Sequence, residues 1–234
     1  MDKISAIFLA LALVVSSVVL GFSLDKAIQN FKAGERSVIV KGLSEKEVQA
    51  DVMILPIKFT RVSNDLNVLY KELENDAQRV FVFLEKIGLN KKDITFAPPI
   101  VNDKLGDLYG DNQNVTYRYV GVGGVLLYTK DVALGRKALE EIVGLGMSGI
   151  VIKIDDYDVE YIYTGLNAIK PQMIEEATLN AREAAMKFAR DSKSQLGKIK
   201  KATQGQFSIT NRDKNTPYIK NIRVVSTVEY YLED

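Results

Sequence analysis

The sequence predicts an α+β protein: a largely antiparallel sheet with helices packed on one face, preceded by an N-terminal hydrophobic helix. Three observations carry that expectation. Segments that alternate apolar and polar residues recur along the chain, with the period of a half-buried strand. Between them lie segments whose apolar residues return at steps of three and four, the period of an amphipathic helix. The resulting order, β-β-α-β-β-α-β-α-β-β, places long strands beside helices that can lie on one sheet face.

The first element spans residues 4–24, which are apolar apart from serines and Gly21. That is long enough to cross a bilayer as a helix. Two readings follow: an uncleaved anchor, or a secretory signal cut after Ser23. The length of the apolar run and the poor cleavage site favour the anchor. Leu24, Ala27, Ile28 and Phe31 then extend the helix amphipathically up to Gly34. The chain thus divides into an anchor or signal segment, 1–33, and an α+β domain, 34–234.

In the domain, "RSVIVKGL" reads as a short strand ending at Gly42, and "EVQADVMILPIKFTRV" as one long strand. Val48, Ala50, Val52 and Ile54 alternate, but Ile57 and Phe59 hold the opposite parity after Pro56. A bulge or an edge position would produce such a switch, because proline donates nothing to the ladder. Ser63 or Asn64 is placed to cap a helix carrying Leu66, Leu69, Tyr70, Leu73, Ala77, Val80, Phe81, Leu84 and Ile87 on one side, and Gly88 gives the left-handed exit. "DITFAPPIV" is a strand running into two prolines, and residues 102–114 form a polar loop. "TYRYVGVGGVLLYT" is a strand, and Asp131 caps a helix ending near Gly144 and Gly146. "YDVEYIYT" is a strand.

"GLNAIKP" reads as a turn, with Asn167 in the turn or cap and Pro171 in the first helical turn, where proline is tolerated. The following helix buries Met173, Ile174, Ala177, Ala181, Ala184, Ala185 and Phe188 and runs to Gly197. So many alanines on one face imply close approach to whatever the helix covers. "ATQGQFSIT" and "IKNIRVVSTVEYYL" close the chain as strands, with Ile222, Val224, Val228, Tyr230 and Leu232 on one parity.

Composition excludes several chemistries. The 234 residues contain no cysteine, no histidine and no tryptophan, and net charge is +1. Without histidine and cysteine there is no Ser-His-Asp triad, no thiolate nucleophile and no zinc–sulfur site. Without a basic excess there is no expectation of nucleic-acid binding. No cofactor or metal is expected. "GVGG" at Gly121–Gly124 is followed by more strand, not a helix, so it reads as close packing and not a phosphate loop. "IDDYD" (Asp155, Asp156, Asp158) lacks the spacing of a calcium loop and reads as a solvated turn. The tyrosines on strands are the distinctive group, suited both to cross-strand packing and to an oligomer interface. Tyr117, Tyr161, Tyr230 and Tyr231 are the interface candidates.

Three stretches carry a resemblance: "VIVKGLSEKEVQADVMILPIKF", "YTGLNAIKPQMIEEATLNAREAAMKFARDSKSQLGKI" and "IKNIRVVSTVEYYL". Together they resemble the SIMPL-domain family of bacterial envelope proteins over about Arg36 to Leu232. Ala50-Asp51 departs from the family's usual proline-aspartate. The resemblance implies a periplasmic protein, anchored at the inner membrane or soluble if residues 1–23 are removed. It also implies relatives that include a ring-forming immunogenic protein and an oxidative-stress defence protein. It supplies no catalytic residues. The expected function is a non-enzymatic, self-associating envelope protein that supports stress tolerance, with a homo-oligomer as partner and residues 4–24 on the membrane. The alternative is a binding module for a small ligand or partner protein through residues 102–114. An enzyme using carboxylates or a lysine such as Lys170 is the reading least supported, since no convergent acids accompany it.

Overall fold

The structure, a computed structural model, describes residues 13–26, 36–106, 116–155 and 158–233. A helix, α1, covers 13–26. Then follow β1 (Ser37–Gln49), β2 (Val52–Ser63), α2 (Leu66–Ile87), a single 3-10 turn (Lys91–Asp93), β3 (Ile94–Asp103), β4 (Tyr119–Thr129), α3 (Val132–Glu141) and α4 (Val143–Met147). The chain continues with β5 (Val151–Lys153), β6 (Glu160–Ile162), α5 (Leu166–Asp191), β7 (Gln195–Gln204), β8 (Ser208–Asn211) and β9 (Ile219–Glu233). The fold is α+β with antiparallel sheets, as the patterning predicts.

Contacts gather into two compact units. Unit 1 holds residues up to Lys46, Ala168–Ile209 and residues from Ile222 onward; unit 2 holds Glu47–Asn167 and Thr210–Asn221. The boundary expected at Gly34 lies outside the described residues. So does part of the expected membrane segment: residues 4–12 are not described, while 13–26 are helical with apolar side chains exposed. Among the described residues no helix is long and apolar enough to cross a membrane.

Unit 1 is built on a sheet of order β1-β9-β7, with β8 also paired to β9. The α5 residues Met173, Ala177, Ala181, Ala185 and Ala189 are all 2% exposed or less. Four-residue spacing puts them in one row on the helix surface. Beneath that row, β1 presents Val40, Gly42 and Ser44, all buried. A Cβ on Gly42 would stand 1.8 Å from the Ala177 carbonyl oxygen and 2.4 Å from the Ala181 nitrogen. Backbone therefore lies against backbone, the close approach that the alanine face implies. Side chains stitch the contact: Ser44 Oγ donates to Glu176 Oε2 (2.8 Å), and Asn180 Nδ2 donates to the Leu43 carbonyl (2.8 Å). On β9, Ile222, Val224, Val228 and Tyr230 are buried on one parity.

Unit 2 is built on a five-stranded sheet of order β3-β4-β2-β5, with β6 also on β2. One face is covered by α2. Met53, Leu55, Ile57 and Phe59 of β2 are each 0% exposed, and they form one core with Leu69, Leu73, Val80 and Leu84 of α2 and Val125 and Leu127 of β4. Asp65 caps α2, accepting from the N–H groups of Asn67 (2.8 Å) and Val68 (3.0 Å). The expected caps do other work: Ser63 Oγ accepts from Asp65 N–H and Asn64 Oδ1 from Arg118 N–H. Gly88, at φ 110°, ends α2 as expected, and Asp131 caps α3 through Leu134 N–H.

Several expectations are corrected. The strand starting at "RSVIVKGL" does not stop at Gly42 but runs to Gln49, and the long strand expected to follow is broken at Ala50-Asp51. There the backbone is used elsewhere: Ala50 N–H donates to the Tyr218 carbonyl (2.8 Å) and Asp51 N–H to that of Ile162 (2.9 Å). The Asp51 carboxylate accepts from both the N–H and the hydroxyl of Thr164. Pro56 marks no bulge and no edge, since the β2–β4 register is unbroken from Met53↔Thr129 to Ser63↔Tyr119. On the other side of β2, β6 pairs with 52–54 and β5 with 58–60. Pro56 falls in the gap between them, where a missing donor is tolerated.

Asn167 and Pro171 are not a turn and a first-turn proline. Both lie inside α5, which begins at Leu166. The Gly-Leu-Asn signal is local, and packing of the long alanine row overrides it. The helix also ends earlier than Gly197. Lys193 adopts the left-handed φ of 56°, and Gly197 belongs to β7. Phe188, expected in the buried face, is 59% exposed.

Candidate functional site

Directly opposed residues of an antiparallel pair share a sheet face. In unit 2 the face away from α2 is therefore formed by Ile54, Pro56, Lys58, Thr60 and Val62 of β2, opposite Tyr128, Leu126, Gly124, Val122 and Val120 of β4. β3 adds Ile100, opposite Val122, and β5 adds Val151, opposite Thr60. An antiparallel sheet with one solvated face ordinarily alternates apolar inside with polar outside. Here the outer positions are largely apolar as well. Tyr128 is 47% exposed, Leu126 and Val122 37%, and Ile100 74%. The lysines on this face are paired, Lys58 with Asp158 at 2.5 Å and Lys153 with Asp155 at 3.5 Å, and Glu160 of β6, opposite Ile54, adds an exposed carboxylate at its margin. The result is an extended, largely apolar surface on a rigid sheet, which is what an interaction surface requires.

Unit 1 offers a different outer face. There Glu229 accepts from Ser37 Oγ (2.6 Å) and pairs with Lys200 (3.0 Å), and Arg223 pairs with Glu45 (3.3 Å). The hydrogen bond from Ser37 and the ammonium of Lys200 hold the Glu229 carboxyl below its ordinary range. These ion pairs share the face with exposed Ile39 (65%) and Leu43 (38%) of β1.

The tyrosines expected at an interface separate. Tyr230 is 4% exposed and belongs to the core of unit 1, so it is no interface residue. Its parity, shared with Val228, sends the ring inward. Tyr161 packs against the core of unit 2, with its ring edge-on to Tyr218 (centroids 6.1 Å apart), and burial pushes its phenol up. The Arg136 guanidinium lies 3.8 Å from the Tyr218 centroid, so these residues form a packed stack and not a free surface. Tyr117 is 49% exposed, and Tyr231 is partly covered, with Lys200 over its ring. Tyr128 is the tyrosine that the register places in the apolar face. Its alternation with Leu126 and Val122 along one strand was the available signal.

The other singled-out residues are structural. A Cβ on Gly121 would stand 2.6 Å from Leu73, and one on Gly123 2.3 Å from the Phe59 ring. "GVGG" is thus close packing inside β4, as expected. In "IDDYD", Asp155 and Asp158 form the lysine pairs above, and Asp156 lies outside the described residues. Lys170 sits with its Nζ 5.7 Å from the centroid of Phe207. Of the polar loop expected at 102–114, residues 107–114 lie outside the described residues, while Asn102 and Asp103 complete β3. Asp103 takes Arg118 at 2.8 Å, which holds its carboxyl low.

Sequence reasoning missed one charged cluster. Asp76 on α2 is 2% exposed and accepts from Arg61 Nε (2.5 Å) and Nη2 (2.9 Å), with Arg79 at 3.4 Å. Arg61 also donates to the Gly149 carbonyl, and Arg79 to the carbonyl and hydroxyl of Ser148. The two guanidinium groups thereby tie α2 and β2 to the turn after α4. Every group is satisfied, so the cluster reads as a brace. Asp76 interrupts the apolar pattern of α2 at a buried position, and that was its only sequence signal.

No curated protein matches the chain at a significant level. A family model described as "SIMPL: Protein of unknown function (DUF541)" matches residues 38–227, which take in both units, and the chain belongs to the SIMPL family.

Proposed function

We propose that this SIMPL-family chain is a non-enzymatic envelope protein that self-associates through the outer face of the five-stranded sheet. In this reading its apolar N-terminal segment holds it at the periplasmic side of the bacterial inner membrane, where the assembly supports tolerance of envelope or oxidative stress. The carrying observation is the exposed apolar band of Val122, Leu126 and Tyr128 with Ile100 beside it. A second copy is the occupant that fits best. The lysines of the face are paired within the chain, and net charge is +1. Like therefore meets like with little repulsion, and an apolar contact needs no complementary charge.

The test is sedimentation of the full chain in mild detergent at low and high salt, for wild type and a Leu126→Lys, Tyr128→Glu double variant. The expected wild type is an oligomer at both salts, because salt screens only the ionic part of a contact, and the variant is a monomer. A wild type that is monomeric at micromolar concentration in both salts overturns the proposal. Mass analysis of the membrane fraction tests the anchor, which a mature chain beginning at Leu24 would exclude.

A further inference from the structure

Small residues meet at one level of unit 2. β4 has Gly123 there, α2 has Ala77, and β3 has Pro98-Pro99 after Ala97, where the β3–β4 register shifts between Ala97 and Ile100. With no large side chain to fill it, a cleft of about 420 Å³ opens between α2 and β3. That volume is within the range of small-molecule sites, about 300–1,000 Å³. Its walls are flat and aromatic. Phe59, fully buried, fills the space over Gly123 and closes the cleft below, and Phe96 is held by stacking on Phe81 with centroids 5.4 Å apart. Tyr70, Glu74 and Gln78 follow one another at four-residue spacing on α2, so they line the rim as one row. Tyr70 and Phe96 are nearly half exposed. Among the described residues no cation lines this cleft, and Glu74 forms no ion pair.

We propose that the cleft between α2 and the bulge of β3 binds a compact aromatic amine. Its ring lies between Tyr70 and Phe96 beside Ala77, and its ammonium meets the Glu74 carboxylate and the Gln78 amide at the rim. Aromatic faces favour both a flat apolar body and a nearby cation, and the single carboxylate selects amine over acid. The site does not depend on self-association.

Because the chain has no tryptophan, the emission of an indole probe can be followed directly. Tryptamine and indole-3-propionate are titrated into the full-length wild type and into Glu74→Gln and Ala77→Leu variants, with folding checked by thermal melts. Tryptamine is expected to bind saturably and about 5-fold tighter than the acid, the scale of one exposed ion pair formed and one repulsion avoided. Glu74→Gln removes that preference while keeping the shape. Ala77→Leu fills the cleft and weakens both probes at least about 10-fold, the scale of displacing a ring from its pocket. If Ala77→Leu does not fold, the surface substitution at Glu74 decides alone. Absence of saturable tryptamine binding, equal affinity for amine and acid, or an unchanged preference in Glu74→Gln overturns the proposal.

Discussion

The two units solve the same problem, a helix on a sheet, by opposite means. In unit 2, α2 stands off the sheet on large side chains: Leu69, Leu73, Val80 and Leu84 interdigitate with Met53, Leu55, Ile57 and Phe59. In unit 1, α5 lies nearly on the strand. Its alanines meet Gly42, where even a methyl group has no room. Unit 2 draws its stability from buried apolar volume, so it is vulnerable to atoms removed. Unit 1 depends on close backbone approach, with short side chains hydrogen-bonded across it, so it is vulnerable to atoms added. The outer faces differ in degree: that of unit 2 is dominated by apolar residues, while that of unit 1 mixes ion pairs with exposed Ile39 and Leu43.

The largest effect is expected from Phe59→Ala. Deleting a fully buried ring should cost about 3–5 kcal/mol and be visible in urea unfolding, with hydrogen exchange accelerated first in β2, β4 and α2. Gly42→Ala comes next. Its Cβ meets backbone atoms that cannot rotate away, so the cost should reach about 3 kcal/mol, the upper end for overpacking. Loss of exchange protection should then appear in α5 and β1. If Gly42→Ala proved neutral while Phe59→Ala behaved as expected, the contrast between the units would fail. Asp65→Ala tests whether α2 also needs its end: loss of two capping bonds should cost about 1 kcal/mol, read as a lower denaturant midpoint with unchanged slope.

The smallest effect concerns pH and compares one carboxylate in each unit. Glu229 in unit 1 and Asp103 in unit 2 both titrate below their ordinary ranges, the first through Ser37 and Lys200, the second through Arg118. For a depressed carboxyl the unfolded chain binds more protons. The contribution is therefore complete above the unfolded pKa and is lost as pH falls through the folded one. Both groups are solvent-accessible, so each effect is small. Glu229→Gln should flatten the acid limb of exchange protection in unit 1 and leave unit 2 unchanged, and Asp103→Asn should do the reverse.

Much of this was legible in the residues. Period-two and period-3.6 patterns placed α2, β4 and β9, and they separated the inward parity of β9 correctly. Gly88 and Asp131 announced their caps, and the alanine row of α5 announced close approach. These features were readable because each is written within one element, by neighbours on the chain. What faced that alanine row was not written there: Gly42 lies far away in sequence, and only packing brings them together. The same holds for Asp51, whose carboxylate holds Thr164 and breaks an expected strand in two. It holds too for Pro56, harmless because β5 and β6 happen to leave a gap. Local signals misled where tertiary packing outweighed them, as at Asn167 and Pro171, drawn into a helix by the row that follows. The sequence by itself determined the α+β class, the family and the absence of histidine and cysteine chemistry, but not α4, β5 or the break between β7 and β8. Beyond Tyr230, whose parity already pointed inward, the tertiary structure decided which tyrosines are buried and which apolar residues share an outer face. Both depend on strand register, and a shift of one residue would turn every side chain to the other side.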